Sequence, residues 1–177
     1  MLAALIHGFI LSLGLILPIG VQNVFIFNQG ATQPRFVSVL PVVITASICD
    51  TALVVAAVLG VSVIVMGITW LKVTLMVFGI MFLIYMGYVT WNNKPQNQDA
   101  QGSVFTTKKQ IMFAASVSLL NPHAILDTVG VIGTSSLRYA GMEKLAFAAA
   151  CIAVSWIWFT GLAIGGRLTG ESINQVE

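Results

Sequence analysis

The chain has 177 residues, of which 58% are hydrophobic and 8% charged, with a mean hydropathy of +0.95. Soluble domains carry roughly a quarter of their residues as charges, so this chain has too few to cover a water-facing surface. Its net charge of +2 is small and its basic residues are scattered, which excludes a nucleic-acid surface.

Apolar runs near or above the ~20-residue spanning length indicate helices in lipid, where backbone groups must find partners inside the protein. The runs lack the alternation of a β-barrel wall. The expected fold is an all-α multi-pass membrane protein. The first run, Leu2–Phe27, has neither a basic leader nor a small-residue cleavage pattern and reads as a retained span. Pro18 removes the backbone bond to Gly14, and Gly20 loosens the chain further, so a helix break is expected there. Gln22 and Asn23 then place amides where lipid favours apolar groups. Either the amides bond a neighbouring helix across a kink, or a discontinuous helix exposes backbone at a binding site.

Asn28–Arg35 is a polar connection. The second run, Phe36–Met66, has Pro41 in its first turn and is long for one span, so it should bend near Gly60 or Gly67. Asp50 is its only charge. Ala46, Ser47, Leu53 and Val54 share the Asp50 face, and the small ones allow a second helix to approach closely. Trp70 and Trp91 bracket the third run, Leu71–Val89, as interface anchors, and Lys72 can snorkel to water. That run reads as scaffold.

The polar stretch Asn92–Lys109 is read as a linker within one transmembrane domain, joining half one (1–91) to half two (110–177). The fourth run, Gln110–Thr134, contains Pro122, His123 and Asp127. The fifth, Leu145–Gly165, carries Trp156 and Trp158, which either line a cavity or, the commoner role, pack in the core, and a Gly161–Gly165 spacing that suits close helix contact. Arg167–Glu177 reads as a polar tail too short to cross. Cys49 and Cys151 lie in apolar runs without CxxC spacing. Arg35, Lys94, Lys108, Lys109 and Arg167 fall on one side, against Lys72, Arg138 and Lys144 on the other. The linker side is therefore expected to be cytoplasmic.

Two features mark where function lies. A bare carboxylate at mid-bilayer costs roughly 2.5–3.5 kcal/mol, so Asp50 and Asp127 are expected to serve a polar task. Pro18 and Pro122 are 104 residues apart, as are Asn23 and Asp127, which points to an inverted repeat with its site near the midplane. His123 and Asp127, four apart, would share a helical face with Gly130. The histidine either exchanges protons beside the carboxylate or bonds backbone released by the break. With one other histidine, His7, no metal site is indicated.

The stretches LPIGVQNVFIFNQG (Leu17–Gly30), ITASICDT (Ile44–Thr51) and SLLNPHAILDTVGVIGTSS (Ser118–Ser136) resemble the LysE-type amino-acid exporters, especially their basic-amino-acid branch with the arginine exporters. The resemblance covers nearly the whole chain. It implies a bacterial cytoplasmic (inner) membrane protein that is a transporter and not an enzyme, forms a homo-oligomer, has no cofactor, and exports amino acids by secondary transport. The family pattern has proline after the first-motif glycine, where this chain has Val21. It also has a sixth apolar segment, completing a 3+3 inverted-repeat bundle. Only five are present here, so a truncated product is expected.

On that reading, Asp50 and Asp127 would meet the cationic end of arginine or lysine, since an unpaired cation cannot be desolvated cheaply. Gln22, Asn23 and Asn121 would serve the head group. Asp127, His123 and Asp50 are the candidates for a coupling proton, and Pro18, Gly20 and Pro122 are the helix breaks. Two other readings are a membrane thiol-disulfide carrier using Cys49 and Cys151, and a divalent-cation exporter using the two aspartates.

Overall fold

The structure, a computed structural model, describes residues 1–61 and 105–174 together with the single positions 70, 73, 74, 77, 80, 81, 84 and 88. The third run, Leu71–Val89, apart from those positions, and linker residues 92–104 lie outside the described residues, as do Lys72, Trp91 and Lys94. The described residues are helical, without strands, as an all-α membrane protein requires. Among them two helical stretches, Phe36–Gly60 and Gly141–Ser172, are long and apolar enough to cross a membrane. The bent pair Leu2–Ile16 and Val21–Thr32 passes the same test when taken together, as a broken span or a re-entrant loop.

The first run breaks where its proline and glycine predict. Helix α1 (Leu2–Ile16) and helix α2 (Val21–Thr32) meet at 80°. Gly20 is extended (φ −96°, ψ 177°) and starts α2 with no side chain capping its first-turn N–H groups. A short 3₁₀ turn, Phe36–Val39, leads into α3 (Leu40–Ala56), with Pro41 in the first turn. The second run then widens into a π-type segment, Ala57–Val61, in which Gly60 has φ +101°. Gly60 is thus the bend, one of the two positions expected; Gly67 lies outside the described residues.

The fourth run is not one helix. Helix α4 (Thr107–Leu120) stops at Asn121, whose backbone is extended (φ −75°, ψ 111°). The ring of a following proline disfavours the helical region for the residue before it, which accounts for the stop at Asn121. A single turn, α5 (Pro122–Ile125), passes into a π-type segment, Leu126–Ile132, and then α6 (Gly133–Ser136). The wider i→i+5 turn displaces the α-helical register expected for His123, Asp127 and Gly130. The side chains of Pro122 and His123 are outside the described residues.

Helix α7 (Gly141–Asn174) corrects the reading of the chain's end: Arg167 to Asn174 continue the fifth run as helix. It corrects the glycine spacing too. A Cβ on Gly161 would meet nothing within 4 Å, so that residue makes no close contact. The tight seam uses Gly166 and Gly170, whose Cβ positions would run into the backbone of Phe27 and Ala31, with Gly30 of α2 against Ala163. At the other end Gly8 of α1 lies against Phe147, a Cβ there falling 2.6 Å from its carbonyl. Small residues let backbones approach this closely, which supplies the packing that lipid does not drive.

Two apolar clusters close the bundle. One gathers Phe25, Ile26, Val39, Val42, Ala46, Ala114, Phe159 and Ala163; the other gathers Ala4, Val54, Val58, Ile132, Phe147 and Cys151. On α3, Asp50 lies between Ala46 of the first and Val54 of the second. On α7, Ser155 lies between Cys151 and Phe159. The first cluster's end also holds a buried polar knot. Gln33 Nε2 donates to Gln29 Oε1 and the Phe105 carbonyl (both 3.0 Å), Gln110 Nε2 to the same carbonyl (3.0 Å), and Arg167 Nη1 to the Gln33 carbonyl (3.0 Å). At the opposite end the amino terminus pairs with Glu143 at 2.6 Å, and His7 Nδ1 lies 2.9 Å from Tyr139 Oη. Among the described residues Arg167 and Lys108 thus sit toward one end and Arg138 toward the other.

Candidate functional site

The break in the first run and the one after Asn121 open onto one place. The ends of α1 and α2, the middle of α3, the α4–α5 junction, the π-type segment after it, and the middle of α7 surround a cavity of about 310 Å³. Small-ligand cavities run from roughly 300 to 1,000 Å³, so this one suits a compact solute. Asp50, Asp127, Gln22, Asn23 and Asn121 all line it, with Pro18 and Gly20 at its edge. Five separately chosen side chains therefore converge on one volume. His123 follows immediately on this wall in sequence, but its side chain is outside the described residues.

Asp50 is half-buried, and its Oδ2 accepts a hydrogen bond from Ser155 Oγ on α7. Asp127 is also half-buried and projects from the π-type segment. One residue along α3, Thr51 Oγ1 donates to the Ser47 carbonyl (2.6 Å) and accepts from Trp156 Nε1 (3.2 Å). Trp156 thus bridges helices, where the sequence suggested plain packing. Trp158 is partly buried against the first apolar cluster, as expected of a packing residue.

Asn23 sits at the first break. It is 7% exposed, and its Nδ2 donates to the carbonyls of Ile16 (3.0 Å) and Pro18 (3.1 Å). The amide bonds backbone released by the break itself, tying the broken end of α1 to the start of α2. Both N–H groups are used, so the side chain offers the cavity an acceptor only. Gln22, half-buried on the same turn, retains the wider choice of roles.

Several lining residues carried no signal as single letters. Ser155, Ser12, Thr128 and Phe159 all border the cavity. Ser155 is 2% exposed and sits in an apolar run, where serine is an ordinary small helix residue. Its value comes from facing Asp50, which the sequence does not display. Ser12 donates to the Cys151 carbonyl (3.3 Å), joining α1 to α7 beside the cavity.

The two cysteines take no part in it. Cys151 is fully buried in the second cluster with its Sγ 3.5 Å from the Gly8 carbonyl, and neither cysteine is in a disulfide. A thiol sealed into a helix seam is badly placed to meet a redox partner. Among the described residues no group of three or more His, Cys, Asp and Glu side chains comes together as a metal site needs.

Comparison with known proteins gives a consistent set of relatives. The LysE type translocator family model matches residues 13–176. The chain is 62% identical over 165 residues to the candidate amino-acid transporter YisU of Bacillus subtilis (strain 168), covering 93% of this chain and 75% of that one. It is 31% identical over 168 residues to the arginine exporter protein ArgO of Salmonella typhimurium (strain LT2), covering 93% and 78%. The ArgO of Shigella flexneri is 31% identical over 162 residues, covering 89% and 75%. No solved structure matches.

Proposed function

From the premise that this chain belongs to the LysE type translocator family, we propose that it is an amino-acid transporter exporting a basic amino acid, arginine or lysine, in exchange for a proton. The observation that carries this reading is the placement of Asp50 and Asp127 on one cavity between two apolar clusters. Bringing a guanidinium or ammonium out of water is costly unless a carboxylate meets it. A neutral solute would need neither acid. The arginine exporters among the relatives support the same choice.

The other pole of the cavity suits the head group. Gly20, Val21 and Gln22 border it at the start of α2, whose first-turn N–H groups have no side-chain cap. Helix N-termini favour negative charge, so the substrate carboxylate belongs there, as at the half-helices of other transporters. The Asn23 carbonyl and the Asn121 amide would then serve the α-ammonium. Asp50 and Asp127 share the cationic tail, and one of them takes up a proton when that tail leaves.

Proton exchange also answers the electrical problem. Moving one positive charge outward against an inside-negative potential costs about 2.3 kcal/mol per 100 mV. Returning one proton per substrate cancels that charge. In this scheme the end carrying Arg35, Lys108, Lys109 and Arg167 faces the cytoplasm, and the halves on either side of the cavity are related as an inverted repeat, with breaks at Pro18 and Pro122.

The test is equilibrium binding of labelled arginine to the purified chain, with lysine and citrulline as competitors. Citrulline keeps the shape of arginine but not its charge. Arginine and lysine should compete and citrulline should not, and Asp127→Asn should weaken binding by roughly a hundredfold or more. Displacement by citrulline as effective as by lysine would remove the electrostatic basis of the proposal.

A further inference from the structure

We propose that Ser155 determines how Asp50 meets its substrate, and through that the preference between lysine and arginine; the assignment rests on the basic-amino-acid reading above. Ser155 is 2% exposed, on the cavity wall contributed by α7, and its Oγ donates to Oδ2 of Asp50. A hydroxyl carries one proton, and the other acceptor within reach, the Cys151 carbonyl one turn back, is at 3.4 Å. The carboxylate therefore holds the proton of Ser155 in this state, and the carbonyl is its weak alternative.

This contact fixes the rotation of the carboxylate. With Oδ2 engaged by α7, Oδ1 is the oxygen assigned to the ligand. The adjacent bridge from Trp156 to Thr51, itself bonded to the Ser47 carbonyl, locks the register in which Ser155 and Asp50 meet. Asp50 is thereby prepared for a single-point contact. A lysine ammonium is a compact point charge and is satisfied by one oxygen. A guanidinium gains most from a fork in which both carboxylate oxygens accept parallel N–H groups. Ser155 takes one of the two acceptor positions of Oδ2 and sets the plane of the carboxylate, so a guanidinium fork has to compete with the hydroxyl at that oxygen.

The Cys151 carbonyl completes the device. When the carboxylate turns toward a departing cation, the hydroxyl can rotate to its own helix and remain hydrogen-bonded. The cost of an orphaned buried donor is thus avoided during the transport cycle.

The experiment measures dissociation constants for arginine and for lysine on the purified full chain, for the wild type, Ser155→Ala, Ser155→Thr and Ser155→Cys. Removing the hydroxyl should weaken lysine binding and free Oδ2 for the guanidinium, raising the ratio of lysine to arginine dissociation constants about tenfold. Ser155→Thr, which keeps the hydroxyl, should hold the ratio within about twofold of wild type. Ser155→Cys, a weak donor of similar size, should move it in the alanine direction and gives the same reading if the alanine variant is poorly folded. A general packing defect weakens both ligands together and leaves the ratio fixed. An unchanged ratio in the alanine and cysteine variants, with both ligands still binding, overturns the assignment of Ser155 alone. Failure of the wild type to bind either ligand overturns the basic-amino-acid reading and this assignment with it.

Discussion

Replacing Asn23 separates a structural amide from a ligand-binding one. Its Nδ2 donates to the Ile16 carbonyl at 3.0 Å and the Pro18 carbonyl at 3.1 Å, the two oxygens that the break in the first span leaves without helical donors. Asn23→Ala orphans both. A buried carbonyl that loses its partner costs about 1–3 kcal/mol, whereas an exposed one forfeits only the net bond, about 0.5–1.5 kcal/mol. Ile16 is half-buried and Pro18 exposed, so the expected loss is roughly 2–4 kcal/mol. That is a shift of roughly 30- to 1,000-fold in the folded population. Asn23→Asp provides the decisive contrast, since it keeps the shape but presents an acceptor where two carbonyl oxygens already point. The order of stability should be wild type, then alanine, then aspartate. Reversible unfolding in mixed micelles of increasing SDS fraction, followed by tryptophan fluorescence, measures it. An aspartate variant as stable as wild type would show that the amide donates nothing, and the account of the break would fail.

Other perturbations test the frame around the site. Gly166→Leu should destabilise the α2–α7 seam by about 1–3 kcal/mol or more, because a Cβ there meets the Phe27 backbone and lies 3.1 Å from the Ala31 nitrogen. Gly161→Ala, with nothing within 4 Å, should stay within about 0.5 kcal/mol of wild type in the same micelle titration. The double change Cys49→Ser and Cys151→Ser should leave arginine affinity within about twofold, since neither thiol borders the cavity; loss of binding would revive a role for the thiols. Gly60→Ala should cost about 1–2 kcal/mol, because its φ of +101° is a conformation side chains rarely adopt.

Residues whose chemistry conflicts with lipid were legible in the sequence. Asp50, Asp127, Gln22, Asn23 and Asn121 stand out singly because each is costly in a bilayer, and all five border one cavity. Pro18 and Pro122 were legible for the same kind of reason, since proline cannot complete a helical ladder. Ser155 and Ser12 were not legible, because a small hydroxyl costs a helix little and signals nothing until its partner across the bundle is known. The glycines show a similar limit. Gly161–Gly165 and Gly166–Gly170 have identical spacing, and only the rotation of α7 decides which pair faces α2. The π-type turn through Leu126–Ile132 was hidden too, since the pattern of apolar residues does not distinguish an α from a π register over seven residues.

The contacts around the cavity differ in kind. Helix α7 meets α1 and α2 through glycines, at Gly8, Gly30, Gly166 and Gly170, where backbones touch and no small shift is tolerated. It meets α3 beside the cavity through two side-chain hydrogen bonds, Ser155 to Asp50 and Trp156 to Thr51. Packed backbones behave as one body, whereas a hydrogen bond with a second acceptor in reach can exchange partners at little cost. If the chain transports as proposed, α1, α2 and α7 would move together and α3 with the α4–α6 wall against them, the apolar contacts of α3 with α7 in the two clusters parting in turn. The apolar clusters would then act as the two closures, one on each side of the polar layer. Opening either exposes apolar side chains to water, and opening both at once would double that cost and leak ions. On the proposed reading, a cationic substrate drawn to Asp50 and Asp127 would lie between the two clusters, within reach of both acids without requiring either to leave its helix.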